Sequence, residues 1–226
     1  MSNITLGADR APYAEPGTLA NKTSSWLSVI RRRPLPDRVT FLRSKPALCI
    51  IDMQNYFCSR EGRAYLPSSE AIIPNLDNLR KAFIDAGLPV VFTQHGHKNS
   101  DAKHPLLRWW SQDIVIGTTE FELDPRLHPS EGSYIVGKDQ YSAFRSDKFC
   151  RFVNKKGIGA LVIAGVMTNL CCESTSRDAF MENMDVYLLA DGTATVSEEM
   201  HVGTLRSIAY GFGYVATCEE MKACLK

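Results

Sequence analysis

The sequence predicts an α/β protein, a three-layer αβα sandwich around a mostly parallel sheet of six strands. Two observations predict this class. From residue 45 onward, short and wholly apolar runs recur along the chain, and segments with apolar residues at helical spacing separate them. Brief apolar runs are typical of strands buried on both faces. Strands that alternate with helices form right-handed parallel units, so helices should cover both faces of the sheet.

The predicted strands are apolar runs bounded by polar residues. The first reads ALCII and ends at Asp52, and it is too short and too uniformly apolar for an amphipathic helix. The third is followed at once by Lys138. The six strands are predicted at residues 47–51, 89–93, 133–136, 160–165, 185–189 and 213–217.

Helical patterns occupy several of the intervals between the strands. Two of them lie near residues 170–183 and 198–210. Another lies between the first two strands and ends at Gly87, a residue type that often follows the last turn of a helix. Its apolar residues at helical spacing are Ile73, Leu76, Leu79 and Phe83.

Residues 1–44 differ in composition from the rest of the chain. They are rich in Pro, Gly, Ser and Arg, and a short helix is predicted at 26–30, before three arginines at 31–33. We interpret this segment as an arm outside the core that contacts another subunit, and residues 45–226 as one domain that carries the chemistry. The arginine run is either a solvated helix end or a contact for a subunit or an anionic ligand.

The charge balance and the cysteines limit the compartment and the class of partner. Lys and Arg number 26 and Asp and Glu 25, so the net charge of +1 provides no field to attract nucleic acid or an anionic membrane. The seven cysteines form no CxxC pair, which favours reduced thiols in a cytosol. No signal peptide or run of ~18 apolar residues is present. We therefore expect a soluble cytoplasmic protein without a nucleic-acid or membrane partner.

Three reactive side chains fall at the carboxyl ends of predicted strands. Asp52 closes the first strand, Lys138 follows the third, and Cys171 lies in the first turn of the helix after the fourth. In an open parallel sheet, ligands bind at this edge. Taken singly, the three could be a loop-capping carboxylate, a surface lysine and a small buried hydrophobe. Their common location favours a catalytic site.

The three groups suit nucleophilic catalysis. Thr168 or Asn169 is a good N-cap, so Cys171 is expected at a helix amino terminus, where the helix dipole favours the thiolate and free N–H groups can hold an oxyanion. Asp52 could accept the thiol proton and return it to a leaving amine. Lys138 would keep Asp52 ionised and lower the pKa of the thiol.

Three motifs resemble those of the isochorismatase-like cysteine hydrolases. They lie at residues 51–57 (IDMQNYF), 138–144 (KDQYSAF) and 165–179 (GVMTNLCCESTSRDA). The resemblance covers roughly residues 45–220 in the family's order. It implies a Rossmann-like fold and assigns a catalytic triad, whose members are Asp52, Lys138 and Cys171.

The third motif carries two further implications. The resemblance implies a non-proline cis peptide between Val166 and Met167, which would turn the Met167 N–H toward the substrate oxygen, beside the N–H of Cys171. It also assigns the nucleophile to Cys171 and not to Cys172. Neighbouring helix positions point ~100° apart, so Cys172 is expected to pack against the sheet.

Histidines after the second predicted strand raise the question of a metal. In some relatives, the nicotinamidases, this region carries a metal-binding Asp-x-His and a further His. Here it reads TQHGH, so His95 stands where the aspartate would, followed by His97 and later by His104. Tight metal sites usually gather three or four protein ligands. We therefore predict neither metal nor cofactor; His95 and His97 would be the ligands if a metal bound, and otherwise line the site or hold a loop.

Residues that adjoin the triad in such a fold are candidates for substrate contact. Gln54 and Asn55 follow the base directly and could bind an amide, although ordering the loop is the simpler role. The other candidates are aromatic, and each could instead belong to the core. They are Phe57, Trp109, Trp110, Tyr141 and Phe144.

The sequence thus predicts a cysteine-dependent hydrolase that cleaves a C–N bond of a small amide, ureido or carbamoyl compound through a thioester-type intermediate and releases ammonia or an amine. One alternative is vinyl-ether hydrolysis of isochorismate, which protonates carbon and needs no cysteine. The other is a catalytically silent binding protein of the same fold. Because relatives commonly form dimers or tetramers, we expect a homodimer or homotetramer.

Overall fold

The chain forms a parallel sheet with helices on both faces. The computed structural model describes residues 11–98, 104–111, 113–127, 129 and 133–226. Within these residues the sheet has six strands, in the order β3-β2-β1-β4-β5-β6, and every neighbouring pair is parallel. The predicted α/β class is confirmed, and the sheet is parallel throughout its described extent. The strands are β1 (Pro46–Ile51), β2 (Val90–His95), β3 (Tyr134–Lys138), β4 (Ala160–Val166), β5 (Asp185–Ala194) and β6 (Tyr214–Ala216).

Helices cover the sheet on both faces. Those in the described residues are α1 (Leu19–Ile30), α2 (Arg38–Arg43), α3 (Asn55–Cys58), α4 (Ser69–Asp85), α5 (Pro105–Trp110), α6 (Asp147–Lys156), α7 (Glu173–Met181), α8 (Glu198–Gly211) and α9 (Cys218–Ala223). Right-handed crossovers on opposite sides of β1 put α4 on one face and α7 on the other. α4 contacts α9 and α7 contacts α8, which completes three layers. Over the same residues, no helix combines the length and apolarity needed to cross a bilayer.

The two central strands lie entirely in the core. Every residue of β1 and of β4 is buried. A strand covered by helices on both faces has no solvent side, which explains why both strands read in the sequence as continuous apolar runs. The edge strand β3 differs, because Tyr134 and Ile135 are exposed.

The segment before β1 packs on the same core. Trp26, Ile30 and Phe41 are buried in it, and α1 contacts β5 and α8. Contrary to the expectation of an arm outside the core, the described part of residues 1–44 therefore contributes to the core. Arg31, the first residue of the arginine run, forms an ion pair of 2.7 Å with Glu220. A contact with another subunit stays a prediction.

The strand order reverses at β1, and this determines where the site forms. Both β2 and β4 pair with β1, at Thr93 and Gly165 opposite Ile51. The chain leaves the ends of β1 and β4 toward opposite faces, so a crevice opens between them. Asp52 follows β1 at this crevice, and the segment that carries Cys171 follows β4.

Candidate active site

Asp52 leaves β1 with an unusual backbone. Its φ is +50°, in the left-handed region that few residues other than glycine adopt. Hydrogen bonds to Thr93 of β2 hold it there: the Asp52 N–H donates to the Thr93 carbonyl and hydroxyl oxygens, each at 3.2 Å, and the Thr93 hydroxyl donates to Asp52 Oδ1 at 2.6 Å. The turn therefore directs the carboxylate along the edge of the sheet, with Oδ2 left for a cation.

Lys138, the last residue of β3, supplies that cation. Its Nζ lies 2.6 Å from Asp52 Oδ2, and neither side chain is exposed. The same Nζ donates to the Gln140 carbonyl at 3.0 Å and to Cys171 Sγ at 3.4 Å. Burial lowers the pKa of Lys138, but the interactions with Asp52 and Cys171 outweigh burial and raise it to about 12. Lys138 therefore remains an ammonium that joins the carboxylate to the sulfur.

Cys171 lies in a tight turn that follows a cis peptide. The Val166–Met167 bond is cis, and Thr168–Cys172 then form a single π-helical turn before α7. Such turns are rare and occur often at functional sites. The side chain is only 7% exposed.

The resting state of the sulfur differs from the sequence-based expectation of a favoured thiolate. Burial raises the pKa of the Cys171 thiol to about 12, and although Lys138 lowers it, Asp52 raises it again. Desolvation therefore exceeds the stabilisation of the thiolate by the cation. At neutral pH the site therefore holds a thiol, whose proton would have to pass to a base for the sulfur to act as a nucleophile.

The adjacent Cys172 points elsewhere. It is fully buried, and its Sγ lies 3.9 Å from the Ala164 carbonyl oxygen of β4. Burial raises the pKa of its thiol well above the ordinary value. Of the two cysteines, only Cys171 contacts Lys138 among the described residues.

Gly165 allows β4 to approach β1 beside Asp52, a role that the sequence analysis missed. Its φ is +108°, and a Cβ at this position would overlap the backbone of Ile51, the residue before Asp52. Only glycine combines this conformation with so close an approach. The feature of the sequence that indicates this role is a glycine at the end of a buried strand.

Two polar candidates for substrate contact, Gln54 and Asn55, form hydrogen bonds to other parts of the chain. The Gln54 side chain is fully buried; its amide donates to the carbonyls of His95 and Phe121 at 3.0 and 2.8 Å and accepts from the His95 N–H at 2.7 Å. The Asn55 amide donates to the Thr119 carbonyl at 2.9 Å. These bonds favour the loop-ordering role of both residues over recognition of a substrate amide.

The aromatic candidates separate into three groups. Trp110 Nε1 donates to the Tyr141 hydroxyl at 2.9 Å, which joins α5 to the segment after Lys138. The charge of Cys171 raises the pKa of Tyr141, after the larger effect of burial, so Tyr141 belongs beside the site. Trp109 is 79% exposed. Phe57 and Phe144 pack against core residues, Phe144 edge-on to Phe149 at 5.1 Å.

The three histidines lie side by side next to Lys138. Ring centroids are 5.3 Å apart for His95 and His97 and 4.7 Å apart for His97 and His104. His97 Nδ1 lies 2.7 Å from Asp113 Oδ1, and burial together with Lys138 lowers the pKa of His95 to about 3.

These histidines do not fit a metal site. His95 Nδ1, His97 Nε2 and His104 Nδ1 are buried without a hydrogen-bond partner. Nevertheless, across the described ranges no three or more His, Cys, Asp or Glu side chains are grouped so that they could hold a metal ion. His95 supplies an imidazole at the position where the nicotinamidases among the relatives carry an aspartate, and the rings of His97 and His104 lie within hydrogen-bond distance of Asp113 and Gln140.

Several known proteins are similar to this chain in sequence and in fold. The Isochorismatase domain model matches residues 46–220. The chain is 36% identical to Nicotinamidase 3 of Arabidopsis thaliana over 185 residues, which cover 79% of this chain and 88% of that protein. It is 32% identical to an ureidoacrylate amidohydrolase of Pseudomonas syringae over 217 residues, or 83% and 88% of the two chains.

A solved structure gives the same result. The N-carbamoylsarcosine amidase of Thermoplasma acidophilum matches with a TM-score of 0.69 at 25% identity, over 77% of this chain and 97% of that one. The domain match spans the segments that carry Asp52, Lys138 and Cys171. The chain therefore belongs to the isochorismatase-like hydrolase family, and its relatives named here are amidohydrolases.

Proposed function

We propose that this protein is a cysteine-dependent hydrolase that cleaves a C–N bond of a small amide, ureido or carbamoyl compound. One observation carries the proposal: a buried ammonium lies 2.6 Å from the Asp52 carboxylate and 3.4 Å from the Cys171 sulfur. A nucleophile, a base and a cation in mutual contact are the groups that acyl transfer through sulfur requires. Three of the relatives, the nicotinamidase, the ureidoacrylate amidohydrolase and the N-carbamoylsarcosine amidase, have names that state action on such bonds.

The first half-reaction begins with proton transfer from Cys171 to Asp52. The pKa of about 12 means that the free thiolate is scarce at neutral pH, so the proton leaves as the sulfur attacks the substrate carbonyl. Lys138 remains charged and stabilises the anionic sulfur throughout. The N–H groups of Met167 and Cys171 hold the oxyanion of the tetrahedral intermediate.

The acylation step ends when Asp52 gives up the proton, and hydrolysis of the acyl-enzyme follows. Protonated Asp52 donates it to the leaving nitrogen, the C–N bond breaks, and ammonia or an amine departs. A thioester remains on Cys171, or a thiocarbamate if the substrate is a ureido compound. Asp52 then takes a proton from water, and the hydroxide attacks the acyl carbon. The C–S bond breaks to release the acid, and Asp52 returns the proton to the sulfur, which restores the thiol and the carboxylate. All steps use groups of this chain.

A substrate panel with matched variants tests the proposal. Ammonia release is measured with nicotinamide, ureidoacrylate, N-carbamoylsarcosine, biuret and maleamate, for the natural chain, Cys171→Ala and Cys172→Ala. We expect release with at least one compound, a loss of ~10³-fold or more in Cys171→Ala, and a change within about threefold in Cys172→Ala.

A second measurement identifies the intermediate. Acid quenching during turnover, followed by peptide mass mapping, should find the acyl adduct on the peptide that contains Cys171, and the adduct should be absent from Cys171→Ala. Consumption of isochorismate with no ammonia from any amide would favour the vinyl-ether reaction. No turnover of any compound would favour a binding protein.

A further inference from the structure

The turn that carries Cys171 is anchored at its first residue by a histidine from a distant helix. Thr168 Oγ1 lies 3.0 Å from His201 Nδ1, and His201 belongs to α8. Neither side chain is exposed. A buried hydrogen bond between two such groups restricts the position of the turn more strongly than a solvent-exposed one, because neither partner can exchange it for water.

The second ring nitrogen of His201, Nε2, determines which group donates in the hydrogen bond between Thr168 and His201. His201 Nε2 lies 3.1 Å from the Ala190 carbonyl of β5. A carbonyl only accepts, so Nε2 carries the hydrogen. Burial lowers the pKa of His201 to about 4, so the ring is neutral at neutral pH. Its Nδ1 is then an acceptor, and the Thr168 hydroxyl donates to it.

The second residue of the turn has anchors of its own. Asn169 Oδ1 accepts from the Thr195 hydroxyl at 2.5 Å. Its Nδ2 lies 3.6 Å from the sulfur of Met200, the residue before His201. The side chains of Thr168 and Asn169 thus bond the turn to α8 and to the residue that follows β5.

Residues outside the matched domain enclose the ring of His201. The family match begins at residue 46, yet the Trp26 ring of α1 lies 4.8 Å and the Tyr13 ring 5.6 Å from the imidazole, measured between centroids. Trp26 Nε1 also donates to Glu198 Oε1 at 2.8 Å, at the start of the helix that carries His201. These contacts hold the imidazole between the amino-terminal segment and the nucleophile turn.

We propose that His201 is a positioning residue for the Cys171 turn, and that Tyr13 and Trp26 hold its ring in place. The inference rests on the proposed role of Cys171. It assigns to the amino-terminal segment a part in catalysis: the segment packs on the histidine that holds the turn. A displacement of the sulfur of about 1 Å is enough to cost on the order of 10²-fold in rate.

Two substitutions of His201 separate positioning from simple packing. In His201→Asn, the side-chain oxygen reaches the place of Nδ1 and can still accept from Thr168, but the bond to Ala190 is lost. In His201→Gln, the amide nitrogen reaches the place of Nε2 and keeps the Ala190 bond, but the acceptor for Thr168 is lost. Each variant keeps one of the two bonds, so their effects on stability should be similar.

Their effects on catalysis should differ. We expect His201→Gln to lower kcat by about tenfold or more and His201→Asn by no more than about threefold, with KM little changed in both, because the substrate-binding groups are not altered. Thr168→Val should behave as His201→Gln does. Tyr210→Ala is the control on the same helix, since Tyr210 is 83% exposed, and it should leave kcat unchanged.

Alkylation of the resting protein gives a readout that needs no substrate. Mass-mapped reaction with iodoacetamide should slow at Cys171 in His201→Gln and in Trp26→Ala, while the partly exposed Cys150 and Cys224 react at unchanged rates. Thermal melts identify a temperature at which all variants are folded, and every measurement is made there.

The outcomes distinguish this inference from the proposed function. If folded His201→Asn and His201→Gln lose equal kcat, or if Cys171 reacts equally fast in both, His201 has a packing role only and the inference is overturned. If Cys171→Ala retains turnover, the proposed function fails and the inference fails with it.

Discussion

The two sides of the candidate site are built differently. On one side, which we call the triad side, Asp52, Lys138 and Cys171 come from strand ends, and the carboxylate and the ammonium are fully buried. On the other, the loop side, Trp109 and Trp110 come from a six-residue helix between loops, Asp113 follows that helix, and Tyr141 bonds to Trp110. Trp109 is 79% exposed. In the proposed function, the triad side would supply the rigidity that reaction requires, and the loop side would adjust to the outline of a substrate.

The largest effect should come from exchanging one carboxylate on each side. Asp52→Asn keeps the shape of the residue but removes the base for both proton transfers, so kcat should fall by ~10³-fold or more. Asp113→Asn on the loop side keeps a hydrogen-bond acceptor for His97 at 2.7 Å, so kcat should fall only a few-fold. Steady-state rates of ammonia release compare the two.

The same pair of variants should differ in stability. Asp52→Asn leaves the Lys138 ammonium buried without its counter-ion, which should cost about 3–5 kcal/mol in the free energy of unfolding. Urea denaturation measures this cost.

Equal losses of rate in Asp52→Asn and Asp113→Asn would mean that the loop side takes part in the chemistry. The distinction between the two sides would then be wrong.

The next largest effect concerns a backbone contact of the triad side. Gly165→Ala would push β4 away from Ile51 and force a strained φ, so the free energy of unfolding should fall by about 3 kcal/mol and kcat by ~10²-fold. Gly203→Ala is the matched control, because a Cβ there meets nothing within 4 Å and alanine favours helix. Gly203→Ala should leave the free energy of unfolding unchanged or raise it slightly. If Gly165→Ala also left stability and kcat unchanged, the close approach of β4 to β1 would not require glycine.

The third prediction concerns the buried thiol. The pKa of Cys171 is raised to about 12 in the folded protein from an ordinary value of 9.0. Below pH 9 the thiol is protonated in both states and the stabilisation is complete. Above pH 9 the unfolded chain loses this proton first, so stability falls as pH rises toward 12.

Cys171→Ala removes this contribution. The slope of the unfolding free energy against pH should become shallower by about 1 kcal/mol per unit between pH 9 and 10, because the thiol of the unfolded chain is on average about three-quarters ionised there and a whole proton corresponds to about 1.4 kcal/mol per unit. The other buried thiols contribute equally to both proteins and cancel in the difference. Urea denaturation at several pH values gives both slopes, and identical slopes would show that Cys171 titrates normally.

The difference between the sides also explains what the sequence could predict. Apolar runs predict the strands, and the rule that ligands bind at carboxyl strand ends predicts that Asp52, Lys138 and Cys171 lie close together. These are consequences of local pattern and of parallel topology. The comparisons confirmed the family and the fold.

What the sequence could not predict depends on contacts between distant segments. The hydrogen bonds of Gln54 to the His95 and Phe121 carbonyls join segments that are distant in sequence and meet only in the folded chain. The high pKa of Cys171 results from the burial of its thiol in the folded chain, which the sequence around Cys171 does not indicate. The packing of Trp26 against His201 joins residues 175 positions apart, and no pattern near either residue indicates it.

The smallest effect should come from the loop side. Tyr141→Phe removes the acceptor for Trp110 Nε1 at 2.9 Å but keeps the ring. Loss of one hydrogen bond, worth ~1 kcal/mol, should raise KM about fivefold and leave kcat within about threefold, because the triad is untouched. Trp109→Ala, at an exposed position, should change neither constant by more than about twofold. A fall in kcat at constant KM in Tyr141→Phe would instead place the Tyr141 hydroxyl in the chemistry of the triad side.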